Sequence, residues 1–211
     1  LEPILETLDP SQVAAYAFDD MVASIARECR VDGALAMLPL FTDGHLVFYR
    51  GDLVELPKKV RVSDWPQLIR GWQLPDGMWP LALKADASEI LLDWLPMLWA
   101  YGGDMLDSNG RVRVNDPQGV TALQAYCDLR RHAHPDSQRF GNNEVARALA
   151  TGAAAVVVSW GGQAAAIFDP GTNPWQAAIR TAQLTDPWNA TWGGSLAANQ
   201  HAERARAAAR D

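Results

Sequence analysis

Nine tryptophans in 211 residues are the residues of this sequence best suited to recognition chemistry. An indole carries a broad apolar face and one N–H donor, so it anchors a core or stacks on the C–H face of a sugar or another flat apolar ligand. Most of the nine (Trp65, Trp72, Trp79, Trp94, Trp99, Trp160, Trp175, Trp188 and Trp192) are expected in the core, with Trp65 in a connecting region. Trp160 precedes Gly161-Gly162 and follows the apolar run Ala153 to Ser159, which reads as a buried strand. Its ring then stands at the carboxyl end of a strand, where open α/β sheets take their ligands. Trp192 precedes Gly193-Gly194, whose bare backbone lets N–H groups approach a ligand closely. A plain lid on the core is the competing role for both rings. Asp93 and Trp94 are further candidates, on a helix whose Trp/Leu/Met stripe serves a core more often than a site.

Other chemistries find little support. His132 and His134 are two apart, so a helix does not put them on one face, and Asp136 does not complete a metal set. Asp107-x-Asn109-Gly110 has its glycine too early for a calcium loop and lacks the closing glutamate; it reads as a turn. Ser159 lacks the G-x-S-x-G elbow, and no set of nucleophile, base and orienting group emerges. The expectation is a non-enzymatic chain with no metal and no cofactor. Cys29 and Cys127 form no metal spacing and at most one bridge, and both are expected as free buried thiols.

Composition sets the scale. With 48% hydrophobic and 20% charged residues the chain buries a core, as one large domain or two small lobes. The net charge of -7 disfavours a nucleic-acid partner. The longest apolar stretch is too short to span a bilayer, so no membrane insertion is expected.

Strands and helices alternate along the sequence, implying an α/β fold. Ser11 to Arg27 has helical spacing. Ala34 to Leu40 and Leu46 to Tyr49 read as strands separated by a short polar link, Phe41 to Gly44. Residues 54 to 80 read as a connection with one short helix near Ser63 to Trp72. Ser88 to Tyr101 is a helix ending at Gly102-Gly103, with Pro96 expected to kink or shorten it. Asp116-Pro117 opens a helix to about His132, and another runs from Asn142 or Asn143 to Gly152. A short helical stretch is expected around residues 176 to 183, an apolar segment at Ser195 to Ala198, and an exposed Ala/Arg helix at Glu203 to Arg210.

Four ordered stretches carry a family resemblance. Asp32 to Asp43 followed by Leu46 to Leu53, Trp94 to Asp104, Leu149 to Gly162, and Thr191 to Ala197 together resemble the extracellular solute-binding proteins of ABC-type sugar importers, the maltose-binding-protein class. The resemblance spans residues 30 to 198 and implies a type II periplasmic-binding-protein fold of two lobes, one only partly present. Residues 1–45 and 190–211 would belong to the first lobe and 46–189 to the second. Relative to the family the chain is incomplete at both ends. The implied function is capture of a saccharide or related polyhydroxylated solute by a monomer in the periplasm or outside the cell, for delivery to a membrane permease. Any membrane tether would be a segment outside this chain. A sensing or interaction module with the same fold is the alternative. The resemblance adds Phe41 and Asp43 to the ligand-binding set of Asp93, Trp94, Trp160, Gly161, Gly162, Trp192, Gly193 and Gly194. A carboxylate at 43 suits the task, since it accepts hydrogen bonds from vicinal hydroxyls.

Overall fold

A computed structural model describes residues 10–15, 17, 20–31, 33–35, 37–185 and 192–197. Two compact units divide the chain: Leu1–Gly44 with Ala190–Asp211, and His45–Asn189.

In the first unit, α1 (Pro10–Ala15) and α2 (Ala23–Glu28) stand where the helical spacing suggests one continuous helix. The break has a backbone cause: Ala17 lies at φ 52°, a left-handed conformation that ends a helical ladder. A two-residue ladder joins β1 (Arg30–Val31) to β2 (Ala34–Leu35). Next, β3 (Met37–Asp43) pairs antiparallel with β9 (Trp192–Ala197). Residues 41 to 43 are therefore strand rather than a polar link, because β9 supplies ladder partners for their backbone. The register shifts between Pro39 and Phe41, a bulge beside a proline that has no N–H to give the ladder. The segment Glu203 to Arg210 lies outside the described residues.

The second unit is built on a five-stranded sheet. Its strands are β4 (His45–Arg50), β5 (Lys59–Arg61), β6 (Trp79–Ala82), β7 (Ala154–Trp160) and β8 (Ile179–Thr185), in the order β5-β8-β4-β7-β6. β4 runs antiparallel to both neighbours, while β5 and β6 run parallel to β8 and β7. The start of β4 and the carboxyl ends of the other four strands thus share one edge of the sheet.

Strand β8 corrects the sequence expectation. Only Gln176–Ala178 forms a single tight turn, and Ile179 to Thr185 is extended. Ala182, Gln183 and Leu184 favour helix locally, but β4 and β5 offer hydrogen-bonding partners on both sides, and pairing overrides propensity. Trp65 starts α3 (Trp65–Arg70), the short helix expected in the connecting region, and is 2% exposed. Both cysteines are free, Cys29 buried and Cys127 exposed, the latter because it lies on the outward face of α5 (Pro117–Arg130).

Helices cover both faces of the sheet. Phe48 and Val157 pack with Val145, Ala148 and Leu149 of α6 (Asn142–Ala150) and Ile167 of α7 (Ala164–Ile167), all of them buried. Side chains alternate along a strand, so His45 of β4 and Val158 of β7 face the opposite side, toward α4 (Ile90–Ala100) and α5. Helix α4 runs through Pro96 and is followed by Gly102 at φ 76°, the left-handed conformation a C-terminal cap requires. Asp86 Oδ1 accepts the backbone N–H groups of Ser88 and Glu89 at 3.0 and 2.9 Å, capping the turn into α4.

Gly119, buried in α5, is required for space. A Cβ there would land on the Val114 carbonyl oxygen. Helix propensity alone favours alanine by about 1 kcal/mol. The backbone clash should outweigh it, so Gly119→Ala is expected to destabilise by about 1–3 kcal/mol. A urea melt showing the variant at or above wild-type stability would refute that close approach.

Candidate ligand-binding site

The chemistry gathers at the shared sheet edge of the second unit, around a lysine. Lys84 lies just past β6 and is 0% exposed. Its Nζ lies 3.0 Å from His45 Nε2, 3.2 Å from Glu89 Oε2 and 3.3 Å from Asp93 Oδ1. An ammonium only donates, so His45 Nε2 must accept, which places the imidazole proton on Nδ1. Three elements deliver these groups. β4 begins with His45, and the turn entering α4 carries Glu89. Asp93 follows one helical turn later and faces the same way. The backbone N–H of Lys84 also donates to Asp93 Oδ2 at 3.0 Å, tying the end of β6 to α4.

Trp160 joins this cluster through the sheet register. It is the last residue of β7 and pairs directly with His45 across the ladder. The two ring centroids are 3.8 Å apart with planes tilted by 50°. Trp160 Nε1 donates to Glu89 Oε2 at 3.2 Å, and Lys84 Nζ lies 4.6 Å from the indole centroid, within cation–π range. Asn142, the first residue of α6, donates from Nδ2 to Glu89 Oε1 at 2.8 Å, so both carboxylate oxygens are engaged.

Burial controls the ionisation here. It pushes the His45 imidazole down to about 2, with the Lys84 charge adding to the effect, so this histidine stays neutral. Burial lifts the Asp93 carboxyl to about 6 against the opposing pull of Lys84. Beneath the cluster, a small cavity of about 40 Å³ lies between α4, α5 and the sheet. His45, Asp93 and Tyr126 interrupt its otherwise mostly apolar wall. The Tyr126 hydroxyl is buried without a hydrogen-bond partner among the described residues, and burial followed by the nearby Asp93 charge raises its pKa.

The residues singled out from sequence are distributed between the two units. Trp160 is half-buried at the end of β7, followed by half-buried Gly161 and exposed Gly162 in a tight turn. Asp93 and Trp94 are both on α4; the Asp93 side chain is 6% exposed and Trp94 is buried. In the first unit, the β3–β9 register sets Asp43 opposite Trp192, Thr42 opposite Gly193 and Phe41 opposite Gly194. Asp43 Oδ1 accepts the Gly44 N–H at 2.7 Å. The Phe41 and Trp192 side chains lie outside the described residues. Sequence reasoning missed Lys84, His45, Glu89 and Asn142. One signal for them was available: Asp93 is the lone charge in the otherwise apolar segment Ile90–Ala100, and a buried charge must find a partner.

The description "Bacterial extracellular solute-binding protein" belongs to the family model that matches residues 4–209. The chain belongs to that family. A probable ABC transporter-binding protein of Deinococcus radiodurans is 28% identical over 162 residues, covering 65% of this chain and 36% of that protein. Among solved structures, maltose-bound MalE3 of T. maritima superposes with a TM-score of 0.77 at 21% identity, over 99% of this chain and 56% of that one. A solute-binding protein of Agrobacterium vitis with bound D-mannitol gives 0.79 at 20% identity, over 99% and 54%. A third, from Agrobacterium radiobacter with ribitol, gives 0.73 at 21% identity, over 96% and 55%. These likenesses establish the α/β periplasmic-binding-protein fold. This family member spans little more than half the length of those structures and about a third of the D. radiodurans relative.

Proposed function

We propose that this chain forms the solute-capturing part of an ABC importer, a non-enzymatic monomer that binds a sugar or polyol outside the cytoplasmic membrane and delivers it to a permease. The half-buried indole of Trp160, held at the carboxyl end of β7, is the observation that carries this reading. A fixed aromatic face at a strand's carboxyl end suits the C–H face of a polyhydroxylated solute. The solutes in the related structures, maltose, D-mannitol and ribitol, are all of that class.

Within this reading Trp160 supplies the stacking face, and Gly161 and Gly162 keep its approach open. Asp93 and Trp94 support the site from α4, since the Asp93 carboxylate is committed to Lys84. In the first unit Asp43 is a hydroxyl acceptor, and Phe41, Trp192, Gly193 and Gly194 are further ligand contacts.

Calorimetry of the full-length protein against maltose, D-mannitol and ribitol tests the proposal. Heat from at least one is expected, and Trp160→Ala should weaken it roughly thirtyfold, about 2 kcal/mol, as for an aromatic anchor removed from a pocket. Trp175→Ala should leave affinity unchanged, because Trp175 packs under Arg50 at the far end of β4. No heat from any of the three, or a Trp160→Ala variant with wild-type affinity, would count decisively against the assignment.

A further inference from the structure

We infer that Lys84 is a positioning residue for Trp160, setting the indole in one orientation before a solute arrives. This rests on the reading that Trp160 meets the solute. Lys84 is wholly buried, and an ammonium in that position loses hydration that its ion pairs return only in part. Its contribution is better understood as direction than as stability.

Two of the three groups around Nζ also touch Trp160. Glu89 Oε2 accepts from Lys84 and from the indole N–H, both at 3.2 Å. The His45 ring, 3.0 Å from Nζ through its Nε2, packs 3.8 Å from the Trp160 ring. The ammonium itself lies 4.6 Å from the indole centroid. The ring is thus held at its edge by a carboxylate and over its face by a cation, and those two groups hold each other. Further hydrogen bonds fix the carboxylates in turn: Asn142 on Glu89 at 2.8 Å and the Lys84 backbone N–H on Asp93 at 3.0 Å. An apolar side chain at position 84 would fill the space but take the cation away from the indole face and from Glu89, leaving the Trp160–Glu89 hydrogen bond and the His45 ring as a looser hold on the ring. A ring already set in its binding orientation avoids the ordering cost of binding.

Fluorine NMR of the full-length protein labelled with 5-fluorotryptophan tests this directly, the Trp160 line being assigned by its loss in Trp160→Phe. The comparison is with the Lys84→Met/Asp93→Leu pair, which removes the cation together with one counter-charge and so protects the fold. A single narrow Trp160 line is expected in the wild type. In the pair it should broaden or split, and affinity for the tighter-binding of maltose and D-mannitol should fall about tenfold. A line that only shifts reports the lost charge alone and overturns the inference, as does an unchanged line. A broadened line with unchanged affinity, where Trp160→Ala does weaken binding, overturns the role in binding. If Trp160→Ala also binds normally, the solute contact fails instead, and the clamp on the ring stands.

Discussion

Lys84→Met alone is expected to cost the fold about 3–5 kcal/mol at pH 8, as breaking a buried ion pair from one side does. Methionine fits the volume but leaves Asp93 and Glu89 without their cation. The two carboxylates differ in what they retain. Glu89 keeps the Trp160 and Asn142 donors, while Asp93 keeps the Lys84 backbone N–H. Asp93, already lifted to about 6 by burial, loses the charge that was holding it down, so its pKa rises further. It can then escape the penalty by taking a proton, and the defect should be smaller at pH 5 than at pH 8. Adding Asp93→Leu removes the stranded carboxylate and should recover most of the loss, because apolar replacement of both partners is often neutral or stabilising. Urea unfolding of the single and paired variants at the two pH values measures all of this. Wild-type stability of Lys84→Met at pH 8 would show that Asp93 and Glu89 do not depend on the Lys84 ammonium.

What could be read from the sequence, and what could not, divides along the range of the interactions involved. Asp116-Pro117 marks the start of α5 and Gly102 follows the end of α4, because end signals act over a few residues. Trp160's own apolar run and glycine pair place it at a strand end, and it stands at the end of β7. The sequence suggests a helical stretch around residues 176 to 183, whereas β8 starts at Ile179, because its strand character comes from partners more than 100 residues earlier in the chain. Residues 41 to 43 look like a polar link in the sequence for the same reason, their partner β9 lying about 150 residues later. The lysine cluster is the extreme case. Asp93 drew notice from its helix, yet Lys84 at the end of Leu81-Ala82-Leu83 and His45 after Gly44 look like ordinary strand-end polar residues. They meet because the β4–β7 register sets His45 beside Trp160 while the turn after β6 brings Lys84 beneath it.

Asp93→Asn and His45→Gln are expected to give stability profiles of opposite slope between about pH 6 and pH 4. His45 is held at about 2 in the folded chain against an ordinary 6.5. The unfolded chain therefore binds the extra proton below pH 6.5, and this residue's contribution to stability falls as pH falls. Asp93 is the reverse case. It is held at about 6 against an ordinary 3.8, so between those values the folded chain binds the extra proton and stability rises as pH falls. In the wild type the two nearly cancel over this window, each being roughly 1.4 kcal/mol per pH unit. Below 3.8 only the histidine term remains, and it destabilises further. Asp93→Asn exposes the histidine term, so that variant should lose about 2 kcal/mol relative to wild type on going from pH 6 to pH 4. His45→Gln, whose amide oxygen can still accept from Lys84, exposes the aspartate term and should gain a comparable amount over the same range. Urea midpoints at half-unit pH steps, taken as differences from wild type, remove the background of exposed carboxylates. Parallel profiles for the two variants would mean that His45 and Asp93 do not exchange roles as proton holders between the folded and unfolded chain.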